Sequence, residues 1–210
     1  GVSVRVWLSL GTRFMPFADV ATAEMPLSRL LRLSLFQLSV GMVQTLFVGT
    51  LNRVMILELR VPASLVAIML AIPLLAAPFR ALIGFKSDTH KSILGWKRVP
   101  FLWGGTMLQF AGLSIMPFAL LVLSDGPRVG PSWIGHAGTA LAFLLVGAGA
   151  HTVQTSGLAL ATDLADEAKR PRVVALMYVM MLLGAVISAS VLGTLLRDFN
   201  PMRLIQVIQG

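Results

Sequence analysis

The chain has 210 residues, of which 56% are hydrophobic and 12% charged, about half the ~25% charge content of an ordinary soluble domain. Such a chain cannot cover its own surface against water. Its net charge of +8 comes from short basic clusters between long uncharged runs, which is a membrane pattern rather than a nucleic-acid one. It has no cysteine, which excludes disulfides, thiolate metal sites and a cysteine nucleophile.

Residues 1–30 read as a cytoplasmic tail and residues 31–210 as a transmembrane bundle. The stretch from Val4 to Phe17 is weakly amphipathic, suited either to lying along a membrane surface or to a disordered tail. It is not a signal peptide, because no small-residue cleavage site follows a short apolar core, and Arg29 and Arg32 border the first apolar run. The chain begins at Gly1 and stops at Gly210, and it is expected to be a piece of a longer protein.

Five uncharged runs follow: Leu33 to Asn52, Val61 to Phe79, Val99 to Ser124, Val129 to Thr162 and Val173 to Leu196. Each approaches or exceeds the ~20 residues that cross ~30 Å of hydrocarbon as helix. The fourth is longer than one crossing needs. Its helix is expected near Ile134 to Ala161, with Gly126-Pro127 and Gly130-Pro131 turning the chain before it. Asn200-Pro201-Met202-Arg203 begins a sixth span. The expected fold class is therefore an all-α polytopic bundle with five full spans and the start of a sixth.

Twelve of the 17 Lys and Arg residues fall in the tail, the second-to-third connection, and the fourth-to-fifth connection. The other five (Arg53, Arg60, Arg128, Arg197 and Arg203) fall on the opposite side. This asymmetry puts the N-terminus and the two richer connections in the cytoplasm. Small residues punctuate the spans, among them Gly104-Gly105, Gly112, Gly147, Gly149, Gly184 and Gly193, and are expected where helix backbones meet closely in lipid. Neither a phosphate-binding Gly-Lys-Ser/Thr loop nor a His-Glu-x-x-His pair is present.

The second-to-third connection carries Gly84-Phe85-Lys86-Ser87-Asp88 and then Gly95-Trp96-Lys97-Arg98-Val99-Pro100. Gly84, Asp88, Gly95, Lys97 and Arg98 resemble, with a longer spacing, the signature loop of the major facilitator superfamily. Asp88 can cap or pair near a helix end, and Lys97 and Arg98 can anchor the third span against lipid phosphate. The fourth-to-fifth connection, Asp163 to Arg172, mixes acids and bases. It suits either a salt-bridge gate or a solvated link whose pairs contribute about 0–1 kcal/mol each.

Longer strings narrow the resemblance. Gly49-Thr50-Leu51-Asn52-Arg53-Val54-Met55-Ile56, Gly95-Trp96-Lys97-Arg98-Val99-Pro100-Phe101, Gln109-Phe110-Ala111-Gly112-Leu113 and His151-Thr152-Val153-Gln154-Thr155 look like the PucC/LhaA family. That family is the bacteriochlorophyll-delivery branch of the superfamily in phototrophic bacteria. The resemblance implies a multi-pass protein of the inner, photosynthetic membrane that delivers bacteriochlorophyll to light-harvesting antenna polypeptides or shepherds them. It implies bacteriochlorophyll as bound cargo, antenna polypeptides and the lipid bilayer as partners, no nucleic acid, and no enzymatic reaction. The alternative is a small-molecule secondary transporter on the same fold, which would place a charge or paired polar groups at mid-span.

Inside the fourth span, His151 has Gln154 and Thr155 one turn on and Gly147 one turn back. A neutral imidazole can coordinate the magnesium of a bacteriochlorin, and the glycine is expected to leave room for the ring. The other reading is a histidine hydrogen-bonded to a neighbouring helix. Asn52 and Arg53 crowd the outer end of the first span with Glu58. Five residues apart, Arg53 and Glu58 are not expected to share one α-helical face. Arg80 is read as snorkelling to the headgroups or facing the cavity, and Gln44 and Gln109 as bundle contacts near mid-span.

Overall fold

The structure, a computed structural model, describes residues 26–90, 97–124, 131 and 133–209. The amphipathic stretch Val4 to Phe17, the Gly126-Pro127 turn and Gly95 lie outside the described residues, and only Pro131 of the second Gly-Pro turn falls within them. Five helices are long and apolar enough to cross a membrane: α1 (Leu27–Glu58), α2 (Ala63–Thr89), α3 (Val99–Leu123), α4 (Trp133–Asp163) and α5 (Glu167–Leu195). A shorter helix, α6 (Pro201–Gln209), follows.

Proline marks where these helices start. Pro26 and Pro62 precede α1 and α2, Pro100 and Pro171 sit at the first turns of α3 and α5, and Pro201 opens α6. A first-turn proline forfeits an amide that has no intrahelical partner anyway, and its fixed φ already suits the helix. Deeper in a helix the ring removes a hydrogen bond, and α2 tightens to a 3₁₀ stretch at Ile72–Ala76, around Pro73. Arg60, in the turn between α1 and α2, has φ +54, a left-handed conformation that disfavours a residue with a Cβ.

Two helix pairs form the frame. α3 and α4 meet along a seam of small residues. A Cβ on Gly105 would lie 2.9 Å from the Gly149 carbonyl, and one on Gly112 would lie 2.7 Å from the Ala142 carbonyl. In the second pair, a Cβ on Gly41 of α1 would strike the Met181 carbonyl of α5, and one on Gly184 of α5 would strike that of Leu38. Lipid is as apolar as the side chains, so such contacts depend on close fit rather than water exclusion. Ser188 adds a hydrogen bond of 3.0 Å to the Met42 carbonyl. Gly104 and Gly193, by contrast, have nothing within 4 Å of the Cβ position.

The pairs join through α1 and α4. Phe47 stacks on Phe143 with ring centroids 4.9 Å apart, and the Phe36 ring occupies the space beside Gly157. One core cluster gathers Leu51, Met55, Met116, Leu120, Phe143 and Leu204. A second gathers Leu30, Ala161, Val173, Leu176 and Met177. Leu30 is buried and α1 starts at Leu27, so the bundle begins slightly before residue 31. The helix α6 is fixed by Leu204 and by a 3.1 Å hydrogen bond from Gln209 to the Ser114 carbonyl.

Two departures from the sequence reading bear on function. Gly84 and Asp88 belong to α2, which runs on to Thr89, so the first half of the expected loop is helix. The outer part of α1 is π-helical over Leu46–Leu51 and Val54–Glu58. π-helical turns are rare and occur mostly at functional sites.

Candidate functional site

One end of the bundle is organised by Arg98, the residue just before α3. Its Nη1 lies 2.6 Å from Asp88 at the end of α2, and its Nε donates to Asp163 at the end of α4 over 2.6 Å. A further bond joins Nη2 to the other Asp163 oxygen at 3.3 Å, and Nη1 also donates to Ser87 at 3.1 Å. The planar guanidinium is suited to this, since its donors point in several fixed directions at once. Its pKa is raised further above the ordinary arginine range, first by the hydrogen bond to Asp163, against some burial, and then by the charges of Asp163 and Asp88. Three helix ends therefore converge on one permanent cation.

Of the five residues singled out here from sequence, Asp88 and Arg98 meet directly. Lys97 is exposed, Gly84 faces Thr155 of α4 with ordinary van der Waals space, and Gly95 is outside the described residues. The partner that sequence reasoning missed is Asp163. The available signal was that two connections on the same side each have an acid closing one helix and an arginine opening the next. Arg170 on α5 accordingly donates to the Thr162 carbonyl at 3.2 Å.

A second site lies deeper. A cavity of about 160 Å3 is walled by α1, α2 and α4, with Val40, Phe47, Leu74, Gln44, His151 and Gln154 among its lining residues. His151 is twelve residues before Asp163, about 18 Å along the helix at ~1.5 Å per residue. If Asp163 marks the aqueous edge, the imidazole sits near the middle of a ~30 Å hydrocarbon layer.

Gly147 does not leave the expected room for a ring: a Cβ there would lie 2.5 Å from Cβ of Pro73, so α2 already fills that side. The open side of His151 is toward α1. Arg80 reaches across from α2, donating from Nη2 to Gln154 Oε1 at 2.8 Å and from Nε to Thr155 Oγ1 at 3.2 Å. It is therefore tied to α4 rather than drawn out to the headgroups. Gln44 is exposed on the cavity side, whereas Gln109 is buried against Gly149 in the α3–α4 seam.

Arg53 and Glu58 line a third hollow, of about 210 Å3, between α1 and α5 with Thr45, Gly49 and Gly193. Their sharing of it corrects the expectation from α-helical spacing. In a π-helical stretch the hydrogen bond runs from i to i+5, so residues five apart return to the same side. Asn52 lies between the two π-helical stretches and is half-buried. Among the described residues no group of three His, Asp or Glu side chains is placed to hold a metal.

Comparison with known sequences identifies the chain's relatives. The sequence model of the PUCC protein family matches residues 50–210. The chain belongs to that family. It is 68% identical over 200 residues to Protein PucC of Rhodobacter capsulatus, covering 94% of this chain and 43% of that one. It is 63% identical over 204 residues to Protein PucC of Rhodovulum sulfidophilum, covering 96% and 45%. A more distant likeness, 26% over 182 residues, is to a Rhodobacter capsulatus protein named bacteriochlorophyll synthase 44.5 kDa chain, covering 86% of this chain and 40% of that one. The chain thus spans less than half the length of these relatives. No solved structure matches it.

Proposed function

We propose that this chain is part of a non-enzymatic assembly factor for light-harvesting antenna complexes, one that holds bacteriochlorophyll and passes it to antenna polypeptides. The observation that carries this reading is the α1–α2–α4 cavity. It is mainly apolar, lies near mid-membrane, and offers one imidazole and two amides with no carboxylate among its lining residues. Those features suit a large apolar ligand with a metal that a neutral imidazole can approach. Membership of the PUCC family and the resemblance to antenna-assembly proteins supply the biological setting.

A cavity of about 160 Å3 is smaller than the ~300–1,000 Å3 of pockets that enclose a whole ligand. This chain therefore supplies one wall of the site, in keeping with its covering less than half of its relatives. The arrangement is that of a major-facilitator half, with Arg98 tying α2, α3 and α4 together at the cytoplasmic face of the inner membrane and the N-terminus on the same side. A small-molecule carrier would favour paired charges at mid-span. Arg80 has no carboxylate partner among the described residues, which favours the pigment reading.

The test is His151→Leu in the full-length protein. Leucine removes the imidazole without leaving a new polar group unpaired. Extracted bacteriochlorophyll per immunoblotted polypeptide is expected to fall severalfold while the amount of protein in the membrane holds. Unchanged pigment per polypeptide overturns His151 as a pigment contact, and absence of pigment from the wild-type protein overturns delivery.

A further inference from the structure

Arg80 is the one strongly charged group beside the mid-membrane cavity, and neither the helix-end junction nor the pigment reading uses it. It lies eight residues before Asp88, about 12 Å along the helix at ~1.5 Å per residue. Asp88 is half-exposed and paired with Arg98 at the bundle end, so Arg80 is well inside a ~30 Å hydrocarbon layer. A snorkelling side chain would aim at the near headgroups. This one points across the bundle instead, to Gln154 at 2.8 Å and Thr155 at 3.2 Å.

Both partners are neutral, and among the described residues no carboxylate pairs with the guanidinium. A guanidinium has five N–H donors, and these two bonds engage one each on Nε and Nη2. Cations in a low-dielectric interior are retained where a counter-charge completes them. Gln154, which accepts from Nη2, also lines the cavity, and His151 is within electrostatic range of the same guanidinium. The cation thus stands at the rim of a space whose other walls, Val40, Phe47 and Leu74, are apolar.

We propose that Arg80 receives the carboxylate of an amphipathic ligand whose flat apolar body enters the α1–α2–α4 cavity, so that the site prefers a free acid over its ester. A carboxylate matches the planar donor fork better than a tetrahedral or single-atom acceptor does. The proposal rests on the pigment reading for the shape of the ligand body. It does not rest on metal coordination by His151.

The experiment uses the full-length protein in lipid nanodiscs and two metal-free chlorins, pyropheophorbide a and its methyl ester, titrated by fluorescence. The wild-type protein is expected to bind the acid about tenfold more tightly than the ester. In Arg80→Gln the two affinities converge. Gln154→Glu, which places a carboxylate where Arg80 already donates, should make them converge without removing the cation, and it serves if Arg80→Gln fails to accumulate. Equal binding of acid and ester by the wild type overturns the proposal, as does a preference that survives in both variants. Binding of neither chlorin also overturns it, whereas the pigment reading stands or falls separately on bacteriochlorophyll copurifying with the protein.

Discussion

Arg98 shows how much one side chain can organise when its donors diverge. Its two carboxylate partners are each about half exposed, 56% for Asp88 and 52% for Asp163, while Arg98 itself is only 11% exposed. Pairs with exposed carboxylates contribute roughly 0–1 kcal/mol each, so the junction's value lies in geometry more than in energy. Arg98→Lys keeps the charge but replaces the fork by a single ammonium. It is expected to lower the thermal stability of the purified protein by about 1 kcal/mol, read as a shift in the unfolding midpoint. Asp88→Asn removes one arm and leaves the Asp163 arm in place. Normal amounts of the protein in the membrane with reduced antenna absorption are expected, and loss of the protein itself would make Asp88 a folding residue instead. Because the arginine pKa is raised, the cation is fixed at any cellular pH.

Among the elements, the glycine seams give a sharper test of packing. A Cβ on Gly184 would meet the Leu38 backbone, whereas one on Gly104 would meet nothing within 4 Å. Gly184→Ala is therefore expected to cost about 1–3 kcal/mol, as overpacking does, and Gly104→Ala to be neutral or stabilising by up to ~1 kcal/mol. Equal effects on the unfolding midpoint would contradict the seam. Much of this level was legible beforehand. Charge-free runs located all five crossings, and proline and charged residues bracketed them closely enough for α3 to begin at Val99 as expected. What could not be read was which glycines meet a backbone, since Gly104 and Gly105 are neighbours in sequence and opposite in surroundings. The continuation of α2 through Gly84 to Thr89 was hidden because its polar, charged composition there resembles a loop. The Asp88–Arg98–Asp163 junction and the Arg80–Gln154 bond were hidden for another reason: they join residues 65 or more positions apart in part, and only packing sets such distances.

For the whole molecule, the decisive property is its orientation, which the basic residues predict and labelling can measure. Thr89 ends α2 beside the Arg98 junction, and Ser124 follows α3 at the opposite end of that helix. The chain has no cysteine of its own, so Thr89→Cys and Ser124→Cys each introduce a single label site into it. A reagent confined to the outside is expected to modify Ser124→Cys and spare Thr89→Cys. The reverse pattern would invert the bundle and place the Arg98 junction outside the cell.

The widened turns of α1 carry one more consequence, which concerns phase. An α-helix advances about 100° per residue, so one residue more or less turns everything beyond it by that angle. The inner part of α1 has its register set by Gly41 against α5, while the outer part must aim Leu51 and Met55 into the core and Arg53 toward a hollow. The π-helical stretch at Leu46–Leu51 gives the helix enough slack to meet both demands. Deleting Val48, whose side chain is 69% exposed, should therefore be far more damaging than Val48→Ala, although both remove the same outward-facing group. The deletion restores a regular helix and swings Leu51 and Met55 away from the core, and the two unfolding midpoints compared side by side would reveal it. In α1, a residue that touches little sets the direction in which its successors face.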